Sequence, residues 1–222
     1  MTANDPITLS RRRWLAGAAA LAALAGWRGP AQAVPARPAQ LSGADQTDLK
    51  RVQDYLNGIK TLQSRFQQFS PEGGTSAGTI YLQRPGKMRI VYDDPVPILI
   101  VSDGWQVYYW DKNLEELSQI GVKDTPAWFL LRPEITLGGD VTVTHFERKS
   151  DAMRIAMTET KDPDQGNLTV VMSDHPLELR QWMVVDAQQK PVTVVLQDPH
   201  YGVQLNPSLF LWTDQRSGPR TR

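Results

Sequence analysis

The sequence predicts a mainly β protein with added helix, built on one large antiparallel sheet that meanders and is either curved or closed. Three observations predict it. Apolar spacing is helical only near the start of the chain. Beyond Gly78 the spacing changes to two and stays there. The runs that follow are short, β-branched or aromatic, and bounded by Gly, Pro, Asp or Asn.

The elements follow in order. LSRRRWLAGAAALAALAGWRGPAQA places three arginines ahead of an apolar Ala/Leu stretch, Trp14 to Trp27, and a small-x-small site ending at Ala33. This is the layout of an export signal, too short to span a bilayer permanently, so residues 1–33 are expected to be a signal peptide. Its Ser-Arg-Arg-Arg-Trp-Leu run resembles a twin-arginine signal, with Trp14 where Phe is usual; a Sec signal is served equally well by three arginines. Residues 34–44, VPARPAQLSGA, read as a flexible leader. From Asp45 to Phe69, Leu49, Val52, Leu56, Ile59, Leu62, Phe66 and Phe69 recur at intervals of three and four, which predicts one long amphipathic helix. SPEGGTSAG ends it. The strand-like runs start at GTIYLQR and KMRIVYD and continue to PVTVVLQD, interrupted by TPAWFLLRPE (125–134), which suits one or two helical turns. NPSLFLW (206–212) begins like a short helix or a closing strand. The domain is expected to span 45–214, with a tail at 215–222.

Register can be argued for the first hairpin. A three-residue loop puts Ile80, Leu82 and Arg84 on one face with Met88, Ile90 and Tyr92, and sends Gln83, Lys87 and Arg89 away. A two-residue loop would mix charges into that face, so the longer loop is expected, with Arg84 at the edge of an apolar surface. The next hairpin, around SDG (102–104), is apolar on both faces: Ile98, Ile100, Val107 and Tyr109 on one, Leu99, Val101, Tyr108 and Trp110 on the other. Periodicity leaves open which of them points inward.

Composition narrows the function. The chain has 24 basic and 24 acidic residues; removal of 1–33 leaves 20 against 23, mildly acidic, which disfavours nucleic acid or an anionic bilayer as partner. There is no cysteine, so neither a disulfide nor a lipidated N-terminal cysteine is available, and the exported protein is expected to be soluble rather than lipid-anchored. Catalytic constellations are poor. His145, His175 and His200 sit on separate segments, and no metal motif, serine or cysteine nucleophile motif, or phosphate-cradling loop is present. No catalytic residue, metal site or cofactor is assigned. What remains is an amphipathic helix and a sheet with more apolar side chains than one core face requires. Such side chains either pack a core or enclose an apolar cavity.

The ordered set Leu49-x-x-Val52-Gln53-x-Tyr55-Leu56-Asn57-x-Ile59-x-Thr61-Leu62-Gln63-x-x-Phe66-x-Gln68, Gly78-x-Ile80-Tyr81-Leu82-x-Arg84-Pro85-Gly86-x-Met88-Arg89, Val101-Ser102-Asp103-Gly104 and Tyr108-Tyr109-Trp110-Asp111-x-x-Leu114 resembles the LolA family of periplasmic carriers of outer-membrane lipoproteins. Similarity continues through Thr125–Leu131, 173–196 and Leu205–Phe210, covering residues 45 to 214. The resemblance implies an unclosed antiparallel β-barrel of about 11 strands covered by an α-helical lid. It implies a monomeric, non-enzymatic periplasmic chaperone without cofactor that carries acylated lipoproteins. Its partners would be an inner-membrane ABC-type release complex, LolCDE-like, and a LolB-like outer-membrane acceptor. LolB shares the fold but is itself a lipoprotein, and the missing cysteine argues against that assignment.

By the same resemblance Arg84 hydrogen-bonds backbone groups of the lid and keeps the empty carrier closed; the plain alternative is a strand-end arginine reaching to water. The expected cavity wall is Ile80, Leu82, Met88, Ile90, Tyr92, Ile98, Ile100, Val107 and Tyr109, with Leu56, Ile59 and Phe66 contributed by the first helix. Where the family often has Phe-Arg-Trp, this chain has Met88-Arg89-Ile90, exchanging two rings for aliphatic groups. Two other functions stay open from the residues: a sensor or glycolipid carrier on the same half-barrel, and a periplasmic hydrolase.

Overall fold

Ser42 starts the first helix. Its hydroxyl accepts the Asp45 N–H while the Asp45 carboxylate accepts the Ser42 N–H, a reciprocal cap that fixes the entry of α1 (Gly43–Gly58). Leu49, Val52 and Leu56 form its buried stripe. A computed structural model of the chain describes residues 36–186 and 190–215; the expected signal peptide and all of the tail after Gln215 lie outside the described residues. Within the expected leader, the Ala39 N–H donates to Val143 O at 2.8 Å, and Ala39 and Leu41 pack on the core. That part of the leader is therefore docked on the sheet.

α1 ends at Gly58, and the expected helix to Phe69 is not formed. Thr61–Phe69 is instead a strand, β1. Leu62 and Phe66 are four apart, a spacing that serves one face of a helix and one face of a strand alike. The residue between them on the strand's inward row is Ser64, small, polar and buried, which hides the alternation from a hydropathy reading. Gly58 weakens the helix where it stops.

The remaining strands are β2 (Thr75–Gln83), β3 (Lys87–Tyr92), β4 (Ile98–Asp103), β5 (Gln106–Asp111), β6 (Glu116–Gly121), β7 (Val141–Lys149), β8 (Ala152–Glu159), β9 (Gly166–Asp174), β10 (Leu177–Asp186) and β11 (Pro191–Tyr201). Among the described residues they form one antiparallel sheet ordered β6-β5-β4-β3-β2-β1-β11-β10-β9-β8-β7. Every neighbour is a sequential hairpin except β1 and β11, which join the two halves at the centre. The outer strands β6 and β7 are not paired to each other, so the barrel is unclosed, as expected.

Between those two edges runs the crossover 122–140, with a 3-10 turn at Val122–Asp124 and α2 (Trp128–Leu131). It lies over the sheet beside α1 and is tied to it. Asn57 donates to Ile135 O and accepts the Ile135 N–H, both at 2.8 Å, and Gln53 accepts the Leu137 N–H at 2.9 Å. α1 and the crossover are thus one hydrogen-bonded cover. No helix among the described residues is long and apolar enough to cross a membrane.

Candidate functional site

The inward rows of the sheet determine the site. β2 and β3 pair Leu82 with Met88, Ile80 with Ile90 and Gly78 with Tyr92, which is the register of a three-residue loop. Across β1, Phe66 stands opposite Gly78 on one side and Leu196 on the other. The Phe66 and Tyr92 rings meet edge to face, centroids 5.4 Å apart, in the space that Gly78 leaves by having no side chain. From the other half of the sheet come Leu168, Trp182, Val184, Val192 and Val194. Pro126, Ala127, Leu130 and Leu131 of the crossover cover them, enclosing an apolar cavity of about 360 Å³.

The structure brings Ile80, Leu82, Met88, Ile90, Tyr92, Ile100, Val107 and Phe66 together on the cavity wall, Phe66 from a strand rather than from the first helix. It does not bring four others there. Leu56 and Ile59 are buried in the core between α1 and the sheet. Ile98 and Tyr109 share the inward face of Ile100 and Val107, but Tyr109 is 43% exposed, so that face there is open to solvent.

The opposite face of β4 and β5 has its own cover. Leu99, Val101 and Trp110 form a second apolar cluster with Trp212. The Tyr108 ring stacks on Trp212 at 5.2 Å with planes 4° apart. Arg89 donates to Leu209 O at 3.1 Å, in the 3-10 turn Pro207–Phe210. Two apolar faces therefore have two covers, and the face of Ile100 and Val107 is the one at the cavity.

Arg84 sits at the junction of sheet and cover. It is 9% exposed, and it donates from Nε to Ile59 O at 2.7 Å and from Nη2 to Ile59 O at 2.5 Å and to Leu56 O. These carbonyls belong to the last turn and C-cap of α1, where the i+4 amides of a continuing helix are missing and a cation is favoured; Leu56 O also accepts the Ile59 N–H at 3.3 Å. Nη1 is buried and has no partner among the described residues. Burial lowers the guanidinium pKa from its ordinary value. The same turn holds α2: the Gly86 N–H donates to Leu131 O at 2.8 Å. Gly86 has φ of 76° and its missing Cβ would stand 2.7 Å from Gly104 Cα, so only glycine fits. Arg84-Pro85-Gly86 thereby touches both parts of the cover, and Arg84 does not reach to water.

The middle of α1 is held by charge. Asp48 and Asp174 each accept from both Arg51 and Arg148, at 2.9 Å for Arg51 to Asp48, 3.0 Å for Arg51 to Asp174 and 2.8 Å for Arg148 to Asp174. This joins α1 to β7 and β9. Burial works to raise the Asp174 pKa, but the bond from Arg51 and the charges of Arg148, His175 and Arg51 outweigh it and hold it below its ordinary value. A carboxylate depressed by folding stabilises above its unfolded pKa, near 4 as an approximate reference, and that contribution is lost as pH falls through the folded value. Asp174→Asn should therefore lower the melting midpoint at neutral pH and show a smaller further fall on acidification below about pH 4. Melting midpoints of both proteins across pH check this; parallel curves would refute it.

The histidines take surface roles: His175 Nδ1 lies 2.9 Å from Asp151 and His200 Nε2 lies 3.2 Å from Asp198. Among the described residues no group of three His, Cys, Asp or Glu could hold a metal ion.

Residues 57–213 match the family described as outer membrane lipoprotein carrier protein LolA. This chain belongs to the LolA family. It is 30% identical over 178 residues to the outer-membrane lipoprotein carrier protein of Methylococcus capsulatus, covering 76% of this chain and 85% of that one. To the protein of the same name from Azotobacter vinelandii it is 29% identical over 181 residues, covering 78% and 83%. Among solved structures it is similar to a LolA superfamily protein from Nitrosomonas europaea, at 7% identity and a TM-score of 0.43, covering 74% of this chain and 97% of that one. As a member of a carrier family the chain is not an enzyme.

Several features of the site were not singled out by sequence reasoning. Gln53 and Asn57 are in the quoted motif, yet their role as ties to the crossover needs the fold. Trp182, Val184, Val192 and Val194 lie on strands apolar on both faces, where period two selects nothing. The Asp48, Arg51, Arg148 and Asp174 cluster joins residues more than a hundred positions apart and leaves no local signal.

Proposed function

We propose that this chain is a soluble periplasmic carrier that takes up the acyl chains of lipoproteins released from the inner membrane and delivers them to the outer membrane. Its export signal, a release complex of the LolCDE type and a LolB-like acceptor belong to that reading. The observation that carries it is the covered apolar cavity in a LolA-family chain.

Magnitudes fit. Three acyl chains hold on the order of 40 methylenes, and at about 0.8 kcal/mol each their exposure to water costs roughly 30 kcal/mol, which forbids free diffusion. Binding that returned all of this could not release cargo, because usable affinities end near about 20 kcal/mol. The cavity of about 360 Å³ lies at the small end of ligand sites, which run about 300–1,000 Å³. Loading therefore requires the cover to move, breaking the bonds from Arg84 and opposing the affinity gained. Arg84 is the latch in this reading.

The test is copurification and titration. The exported chain recovered from its own periplasm should carry triacylated protein, and the lipid-free chain should bind a triacylated peptide. Ile100→Trp, which places a larger ring on the cavity wall, should reduce that binding at least tenfold while the protein still melts cooperatively. Recovery of a regulatory protein without lipid would favour a sensor instead.

A further inference from the structure

The cavity has two unlike ends. At the Arg84 end its wall is Leu82, Met88, Val107 and Leu131, all buried and all apolar. At the other end Gln68, Tyr92, Val184, Val192 and Val194 are only partly buried, so the cavity opens there. Leu62, level with Leu82, and Gln68 are separated along β1 by roughly 20 Å of strand, at about 3.4 Å per residue.

Gln68 is the last inward residue of β1. Its two strand neighbours are Ser76 on β2 and Val194 on β11. The Tyr92 hydroxyl donates to Gln68 Oε1 at 2.7 Å, which fixes the amide and leaves its Nε2 hydrogens facing other directions. Burial, with the charge of Tyr109, pushes the Tyr92 hydroxyl up to about 12, so it remains a donor at neutral pH. No described residue accepts from Gln68 Nε2. Trp182 pairs with the same Val194, so its indole stands at the level of Gln68 on the neighbouring side. Thr125, also on the wall, has its hydroxyl committed to Val122 O at 2.8 Å.

An acyl chain is apolar along its length and polar at one end, where a carbonyl accepts hydrogen bonds. Burying that carbonyl against Leu82, Met88 and Leu131 would leave it without a donor, which is strongly unfavourable. Placing it at Gln68 gives it one. We propose that Gln68, held by Tyr92, donates from Nε2 to the carbonyl of a bound acyl chain and so orients it, carbonyl at the open end and methyl end towards Leu131. The inference rests on the carrier reading and adds to it a direction for the cargo and a preference for acyl over alkyl chains. Carbonyls of an O-ester and of an N-amide are both accepted by this chemistry.

The test uses three single-chain lipids of equal length competing with a fluorescent dye in the cavity: monopalmitoylglycerol, palmitoyl ethanolamide and the hexadecyl ether of glycerol. The wild-type chain should prefer the ester, the amide or both over the ether by about three- to tenfold, the worth of one hydrogen bond. Which of the two is preferred identifies the carbonyl type. Gln68→Leu and Gln68→Met should lose the preference, so that ester, amide and ether displace the dye alike, and Tyr92→Phe should weaken it. With an isotope-labelled ester, the carbonyl stretch should shift to lower frequency on binding to wild type and not to Gln68→Leu. No preference in wild type, or a preference surviving in both Gln68 variants, overturns the inference and leaves the carrier standing. Failure of all three lipids to displace dye overturns both.

Discussion

Arg84→Leu should bind an acyl probe about ten- to a hundredfold more tightly than wild type and surrender it more slowly to an acceptor, because the covered empty state loses the bonds that loading must otherwise break. Each charge-assisted hydrogen bond contributes roughly 1.5–3 kcal/mol, and Arg84 makes such bonds to Leu56 O and Ile59 O. In the variant Ile59 O loses the donors that Arg84 supplied and Leu56 O keeps only the Ile59 N–H, so the empty protein should also melt earlier and bind more of an apolar dye. Arg84→Lys should fall between the two, since a single ammonium cannot reproduce the planar fork that reaches both carbonyls. Stopped-flow transfer of a labelled triacylated peptide, with melting of the empty protein, measures both sides. Loading and transfer at wild-type values would remove Arg84 from the role of latch.

Gly78→Val should destabilise the fold by about 3 kcal/mol or more, lowering the melting midpoint by roughly 6–12 °C for a chain of this size. A Cβ at Gly78 would stand 2.2 Å from Val91 O and 2.8 Å from Phe66 Cε1. The first contact is with backbone of the paired strand and cannot be relieved by a side-chain rotation. The second pushes Phe66 off Tyr92, and through Tyr92 disturbs Gln68. Gly78→Ala should show the same direction with a smaller fall. A melting midpoint within about 2 °C of wild type for the valine variant would mean that β2 and β3 separate more readily here than the pairing of Gly78 with Tyr92 indicates.

The sheet was legible in the sequence because Gly, Pro, Asp and Asn bound nearly every run, and turn chemistry is local. The loop length and inward face of the first hairpin were legible, since a two-residue loop would have put Lys87 and Arg89 on the face of Ile80 and Leu82. The end of α1 was not: Leu62 and Phe66 satisfy two periods at once, and the residue that distinguishes them is a buried serine. The inward face of β4 was illegible for a different reason. Its outward face is covered by Trp212 from the far end of the chain, so both faces needed apolar side chains. Of the site, Arg84 and the β2–β3 wall could be named in advance. The opposite wall on β10 and β11, the Gln68 and Tyr92 pair and the ionic anchor at Asp174 depend on contacts across the sheet that no window of sequence contains.

The pairing of β1 with β11 at the centre of the sheet has a consequence for assembly. Each half is a series of local hairpins that can form as soon as its own residues are available, but the seam joins Phe66 to Leu196 and closes a loop of more than a hundred residues. Until Pro191–Tyr201 arrives, β1 and β10 are naked edges and each half bears half of an apolar trough. The last strand made is thus the keystone: the chain has no covered apolar cavity until its final strand has docked, so the cavity is a property of the whole domain and of neither half alone.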